Sequence, residues 1–433
     1  MLPSLIIFGV TCLAMIAGIL FLPKLRIGRI TIDTYWPITV IGAALMVMFG
    51  NTGLSDVATA LTADTSVNPI KILVLFISMT FISIFLDSTG FFEYLAYVVL
   101  RRARSSGLRL FIYLYMIVSV LTVFTSNDII ILSFTPFICY FAKSAKIDPM
   151  PYLMAEFVAA NTWSMALVIG NPTNIYLATA FGIDFISYLR VMILPTLAAG
   201  LVAPALLIAL MRNRLAHGMN GVCTPVVIKD KPMMYVALAH LAVCTVALAC
   251  GSYVGLEMWL VALACALSLI TVSLIIYAVR RQRASDVGHS LARVPWQLIP
   301  FVLSMFTMIV VLSDSGVTLY ASSLLSGMPG VAGYGVSSFL AANVINNIPM
   351  SVLYSSIIGN ADAVSLLPDV YAAIIGSNIG AYLTPIGALA GIMFSSLLAS
   401  QGMKFGYRDF LKMGVTIAVP TICTALLVLS IEL

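Results

Sequence analysis

Apolar runs of about 20 residues recur from one end of the chain to the other, separated by short polar segments. A helix of that length crosses the ~30 Å hydrocarbon core of a bilayer, and in hydrocarbon only a structure that satisfies its own backbone can span. The runs predict helices over 2–22, 35–50, 70–90, 151–182, 185–211, 233–250, 255–279, 297–313, 370–401 and 410–430. Two further apolar segments, 108–142 and 318–360, carry polar clusters in their middles. Leu2 to Leu22 has no basic stretch ahead of it and no small-residue cleavage site, so it reads as a retained span and not a secretory signal. The expected fold class is an all-α polytopic membrane protein.

Composition agrees. Of 433 residues, 61% are hydrophobic and 9% charged, where a soluble chain carries charge on roughly a quarter of its positions. The net charge of +5 does not point to nucleic acid, because the basic residues sit in the short loops between spans. Lys and Arg collect on the cytoplasmic side of such loops. If the groups at 24–29, 101–109, 143–146, 212–231, 280–293 and 404–412 all face the cytoplasm, only Lys71 and Arg190 of the 22 fall outside. That places both termini outside, in the cell inner (plasma) membrane. It also puts both ends of 108–142 inside, although its 35 residues would make about 52 Å of helix. A re-entrant hairpin turning near Ser126–Asp128 resolves this. Segment 318–360 has no basic flank and reads as its mirror image, turning near Asn346–Pro349. The architecture expected is ten transmembrane spans, two re-entrant hairpins and two broken helices.

The two halves resemble each other. Residues 1–212 and 233–433, joined by a polar linker at 213–232, each contribute three spans, a hairpin, a broken span (151–182 or 370–401) and a last span. Gly90–Tyr94 (GFFEY) matches Gly316–Tyr320 (GVTLY), Asn127-Asp128 matches Asn346-Asn347, and NTWSMALVIG (161–170) matches NIGAYLTPIG (378–387). On halves that charge counting places upside down, this predicts an inverted repeat. Such repeats with interrupted spans point to a secondary transporter with its site near the midplane.

Four interruptions are expected to converge: Ser126-Asn127-Asp128, Gly170–Asn174 (GNPTN), Asn346–Pro349 and Thr384–Gly387 (TPIG). Asn171-Pro172 places an N-cap residue before a proline at the first helical position, a helix restart, and Thr384-Pro385 reads the same way. Each break offers carbonyls from a helix that ends and amides from one that begins; the former suit a cation, the latter electron-rich oxygen. Pro349 and Pro385 read as kinks that shape the site. Asp128 reads both as a cap for the half-helix that follows and as a protonatable, coupling-ion carboxylate. Asp87 and Glu156, near the cytoplasmic ends of their spans, read as solvated or locally paired acids; Asp314 lies at an outer end, and His240 reads as a core histidine. The seven cysteines lack metal spacing and read as buried small hydrophobes. No zinc-protease, paired-aspartate or nucleotide-loop motif occurs, so no enzymatic activity and no cofactor is expected, and ATP would act only through a separate ATPase subunit.

At NVINNIPMSVL (343–353) followed by GSNIGAYLTPIGALAGIMF (376–394), and at SNDIIILSFTPF (126–137), the chain resembles the arsenite/antimonite permease family of the ion transporter superfamily. That superfamily also holds sodium/dicarboxylate and sodium/proton carriers. The resemblance implies an elevator-like or rocking carrier, often a homodimer. It implies substrate binding by Ser126, Asn127, Asn161, Gly170, Asn174, Asn346, Asn347, Asn378, Thr384 and Gly387, with Asp128 for the coupling ion. Ser-Asn-Asp and Ile-Asn-Asn stand where the dicarboxylate carriers have Ser-Asn-Thr at both tips. Three functions follow: export of a small oxyanion or its neutral acid by proton antiport, sodium-coupled di/tricarboxylate symport with sodium at the hairpin tips, and sodium/proton exchange.

Overall fold

In the computed structural model, residues 2–22, 24–27, 30–49, 52–63, 68–103, 106–216, 225–325, 328, 330–360, 366–403 and 406–433 are described. The first half runs α1 (Leu2–Phe21), a two-stranded ribbon β1 (Lys24–Ile27) and β2 (Ile30–Asp33), α2 (Tyr35–Phe49), α3 (Leu54–Thr62), α4 (Pro69–Ser88) and α5 (Phe91–Ala103). It continues with α6 (Gly107–Phe124), α7 (Asn127–Ala145), α8 (Met150–Trp163), α9 (Pro172–Ala180) and α10 (Phe185–Leu215). The second half runs α11 (Lys231–Gly251), α12 (Met258–Val279), α13 (Ser285–Arg293), α14 (Leu298–Asp314), α15 (Val317–Leu325) and α16 (Gly330–Ile345). Then come α17 (Asn347–Gly359), α18 (Leu366–Gly380), α19 (Leu389–Ser400) and α20 (Tyr407–Glu432). Among the described residues nine helices are long and apolar enough to cross a bilayer, and α2, α16 and α19 are shorter apolar helices. The protein is a helical polytopic membrane protein.

Several expectations need correction. The all-α expectation omitted the antiparallel ribbon, in which Lys24 pairs with Asp33 and Ile27 with Ile30. The segment 318–360 holds three helices, not two, because α15 is a separate short helix ahead of the α16–α17 pair. Helices α3, α5, α13 and α15 were not foreseen: at 9 to 13 residues they reach less than 20 Å at 1.5 Å per residue, too short to register as spans. Linker residues 217–224, together with Arg29, Arg104, Cys223 and Lys404, lie outside the described residues.

Helix starts follow local chemistry. Asn68 caps α4, its Oδ1 accepting from the Ile70 and Lys71 amides at 2.9 and 3.1 Å, with Pro69 next. Two residues past α4 stands Gly90 (φ +83°) and two past α14 Gly316 (φ +78°), a left-handed conformation that favours glycine. Each of these two amides closes its turn on a carbonyl three residues back, at 2.9 Å.

The two halves exchange partners. Helix α4 packs against α11 and α12, and α14 against α1 and α2. Polar links tie the ends. Lys71 at the start of α4 pairs with Glu257 at the start of α12 at 2.7 Å. Arg293, just ahead of α14, pairs with Asp87 near the end of α4 at 2.6 Å. Helix α4 therefore ends where α14 begins, and the two run antiparallel. Arg280–Asp230 (3.1 Å) and Arg214–Asp148 (3.0 Å) tie other loop ends. Thr52 donates to Asp314 at 2.9 Å at the far end of α14.

Helices α8 and α18 form the centre, buried from Pro151 to Thr162 and from Asp369 to Gly380. Helix α18 comes very close to α16 at Gly376. A Cβ there would overlap Ser338 Oγ and the Gly335 carbonyl oxygen and stand 2.9 Å from the Phe339 amide nitrogen. Small residues permit such backbone approach between membrane helices. Gly376→Ala is expected to destabilise the protein by about 1–3 kcal/mol, the usual range for overpacking. A melting curve of the purified variant in detergent checks this, and an unchanged midpoint would sink it.

Candidate functional site

Between α6 and α7 the chain leaves helical geometry at Thr125 (φ −123°, ψ −160°) and Ser126 (φ −103°, ψ 143°). Ser126 takes the N-cap position of α7, yet its hydroxyl makes no cap bond and is buried without a partner among the described residues. Asp128 is thus not the cap that the sequence suggested. It sits in the first turn of α7, only 6% exposed, where the helix dipole favours negative charge. No ion pair among the described residues includes it. Asn127 faces α8: its Nδ2 donates to Asn161 Oδ1 at 3.1 Å, while its own Oδ1 accepts the Asp128 amide at 3.0 Å.

Beyond Asn161 the network crosses between the halves. Ser164 Oγ donates to the Asn161 carbonyl and to Asn378 Oδ1, each at 2.9 Å. Asn378 Nδ2 donates to Asn174 Oδ1 at 2.7 Å, and Asn171 Nδ2 donates to Asn378 Oδ1 at 3.1 Å. Asn171 also caps α9 through the Thr173 amide at 3.1 Å and receives Asn347 Nδ2 at 3.4 Å. The first turns of α9 and α17 therefore meet, with Thr173 Oγ1 donating to the Asn347 carbonyl at 3.3 Å. Asn347 Oδ1 is buried without a partner among the described residues.

A second group adjoins this one. Asn346 adopts φ +74°, rare for a side-chain-bearing residue, and donates through Nδ2 to the Ile386 carbonyl at 2.9 Å. The Asn347 amide donates to the Gly387 carbonyl at 3.1 Å. Thr384 Oγ1 donates to Asn343 Oδ1 at 2.6 Å. A Cβ on Gly387 would stand 2.8 Å from that same Asn343 oxygen. Thr384-Pro385 does not restart a helix: residues 381–388 form turns, and α19 begins at Leu389 with Ala388 as its cap. The Thr384 hydroxyl is committed to Asn343 instead. Pro349 is no kink either; it lies in the first turn of α17, where its missing N–H has no helical partner to lose.

The structure thus brings Asn127, Asn161, Asn174, Asn347 and Asn378 into one buried polar network. Asn346, Thr384 and Gly387 lie in the adjoining group, Gly170 against Ser164, and Ser126 and Asp128 at the tip of α7. Sequence reasoning left out Ser164, Asn171, Thr173 and Asn343 as members. Asn343 lies in the last turn of α16, three residues ahead of the break at Asn346, and that nearness could have flagged it. Other acids are placed differently. Glu156 is fully buried and not solvated, receiving Thr135 Oγ1 on both carboxylate oxygens. Asp87 is paired with Arg293. His240 is half-exposed, bonded to the Val236 carbonyl and Ser268 Oγ. Of the six described cysteines, Cys250 and Cys423 are exposed and Cys265 is intermediate. No group of three or more metal-ligating side chains occurs among the described residues.

Residues 8–376 match the family model described as "CitMHS: Citrate transporter". The chain belongs to the CitMHS citrate transporter family. It is similar to an arsenical pump membrane protein of Escherichia coli (strain K12), 26% identical over 372 residues, 83% of this chain and 85% of that protein. A putative arsenical pump membrane protein of Bacillus subtilis (strain 168) is 24% identical over 414 residues, 88% of this chain and 90% of that protein. The crystal structure of the Alcanivorax borkumensis YdaH transporter shares the fold. Its TM-score is 0.59 at 16% identity, covering 99% of this chain and 97% of that one. This CitMHS-family chain is a multi-pass membrane transporter of the secondary type, not an enzyme.

Proposed function

We propose that this transporter exports a small neutral hydroxylated acid of the arsenite/antimonite type by proton antiport, with the asparagine network as its binding site and Asp128 in the coupling path. One observation carries the reading. The network consists of amides and hydroxyls, with the first turns of α7, α9 and α17 turned toward it and, among the described residues, no Lys, Arg or His side chain in it. Such a site suits a solute recognised through hydrogen bonds. A multiply charged carboxylate would have to shed its hydration there without a fixed cation, at a cost of several kcal/mol per charge. The single titratable group at the tip, Asp128, can then alternate between proton and substrate. The proton gradient supplies the energy, and ATP would require another subunit.

The halves are read as an inverted repeat, supported by the antiparallel course of α4 and α14 and by their exchanged partners. The side bearing Asp87–Arg293, Arg280–Asp230 and Arg214–Asp148 is read as cytoplasmic, following the basic residues. Both termini then lie outside the inner membrane.

The test is arsenite accumulation in everted membrane vesicles under an imposed inside-acidic gradient, for wild type and Asp128→Asn. Gradient-driven uptake in the wild type that drops at least tenfold in the mutant is the expected result. Uptake that survives the mutation removes Asp128 from the coupling path. No uptake by an inserted wild-type protein overturns the metalloid reading. Sodium-dependent citrate uptake in that case establishes the second reading, sodium-coupled carboxylate symport, which the family description favours.

A further inference from the structure

Two turns along α7 from the tip lies a polar pair that the binding site does not use. Thr135 Oγ1 is 3.0 and 3.1 Å from the two carboxylate oxygens of Glu156, in the middle of α8. Both residues are fully buried. Helices α7 and α8 run past each other so that Asn127 meets Asn161 and Thr135 meets Glu156. The two contacts are eight residues apart on α7 and five apart on α8. The pair therefore lies about 10 Å from the tip along α7, toward the end of the hairpin where Arg214 meets Asp148.

Among the described residues, the surroundings of Glu156 offer no counter-charge. Next to it, Phe157 stacks on Phe394 at 4.6 Å and meets Phe410 edge-on at 5.4 Å. On α7, Cys139 stands one turn beyond Thr135 and Asp128 two turns before it. On the other helices packed against α8, the buried tyrosines bond elsewhere. Tyr115 of α6 reaches the Gly200 carbonyl, Tyr188 of α10 the Met165 carbonyl and Tyr371 of α18 the Ser187 carbonyl. Asp369 of α18 sits against Gly330. Arg214 and Lys143 belong to the last turns of their helices. A carboxylate stripped of water with one hydroxyl for company is untenable as a lasting anion, whereas its acid form needs only that hydroxyl. Isolated carboxyl groups inside membrane bundles mark proton paths.

We infer that Glu156 is a second proton-carrying group of this transporter, a relay between Asp128 and the cytoplasmic water. In export by antiport a proton arriving from outside rests on Asp128, passes to Glu156 across the ~10 Å interval, bridged by water or by movement of the hairpin, and leaves to the cytoplasm. Thr135 is a positioning residue that holds the carboxyl toward α7. This assignment deepens the proton-antiport reading and rests on it, so its test carries one arm that needs no substrate.

In that arm, infrared spectra of the purified protein are recorded across a pH titration. A protonated-carboxyl band that titrates in the wild type, disappears in Glu156→Gln and persists in Glu156→Asp supports the relay; wild-type and Glu156→Gln spectra without that difference overturn it. In the transport arm, Glu156→Gln keeps the hydrogen bond to Thr135. It is expected to lose gradient-driven arsenite uptake at least tenfold while retaining arsenite–arsenite exchange, which moves no net proton. Glu156→Asp should recover part of the uptake. Equal loss of uptake and exchange makes Glu156 structural, and no loss of either removes it from the path; both overturn the proposal. If wild type moves no arsenite, the antiport reading falls, and the infrared arm alone decides whether Glu156 carries an exchangeable proton.

Discussion

Asn378→Ala is expected to abolish transport and to destabilise the protein by about 2–6 kcal/mol. The side chain of Asn378 makes four hydrogen bonds inside a fully buried site. It donates to Asn174 Oδ1 (2.7 Å) and the Ile374 carbonyl (2.9 Å), and accepts from Ser164 Oγ (2.9 Å) and Asn171 Nδ2 (3.1 Å). Alanine leaves two of these partners without recourse. Ser164 retains the Asn161 carbonyl and Ile374 its place in the helix, but Asn174 Oδ1 and Asn171 Nδ2 lose their partner. Each orphaned buried group costs about 1–3 kcal/mol, which gives the range stated. Transport falls further than stability, because Asn378 joins the α8–α9 break to the α18 break across the two halves. Vesicle uptake and a detergent melting curve measure the two effects separately. Asn378→Asp serves as a control: it keeps volume and the accepted bonds but sets an oxygen against Asn174 Oδ1, and it should fail nearly as badly. Wild-type uptake in Asn378→Ala would sink the network as the binding site.

The second large effect is expected from a single methyl group. In Gly170→Ala the new Cβ would overlap the Ser164 carbonyl oxygen and stand 2.9 Å from that residue's carbonyl carbon and Cα. These are backbone atoms in a fully buried turn, so nothing can rotate aside. The same Ser164 carbonyl receives Asn174 Nδ2 at 2.8 Å, and the Ser164 hydroxyl binds Asn378. Relief of the overlap must therefore move both contacts. A shift of about 1 Å in a positioning group commonly costs 100-fold in rate, and a fall of that order in uptake is expected. Overpacking adds about 1–3 kcal/mol of instability. Gly182→Ala at the next surface turn is the counter-test. A Cβ there meets nothing within 4 Å, although its φ of +63° carries a backbone cost. If both variants transport alike, close packing at Gly170 is not what shapes the site.

Membrane helices and breaks were readable because hydrocarbon imposes one rule on every residue: polar groups must be satisfied or absent. Asn171-Pro172 announced a helix start because an N-cap and a proline act within a few residues of themselves. Thr384-Pro385 carries the same local signal and starts no helix, because the Thr384 hydroxyl bonds to Asn343 on α16, 41 residues away. A tertiary partner outbid a local preference there. The amphipathic α13 and the short α5 escaped notice for a related reason. Their lengths and charges resemble loops, and only packing gives them a place, α13 against α4 and α12 and α5 against α4, α6 and α7.

By itself the sequence determined the medium, the run of apolar segments, the positions of the polar interruptions and which residue types stand there. Each of these depends on a residue's own solubility in hydrocarbon or on neighbours within a helical turn. Only the tertiary structure decided that Asn378 reaches Asn171 and Asn174 from another half of the chain, that Ser164 belongs to the network and Asn343 to the group beside it, and that Glu156 has Thr135 for company. Such partners are chosen by the fit of surfaces from distant segments, and hydropathy, a property of each residue alone, carries no record of that fit.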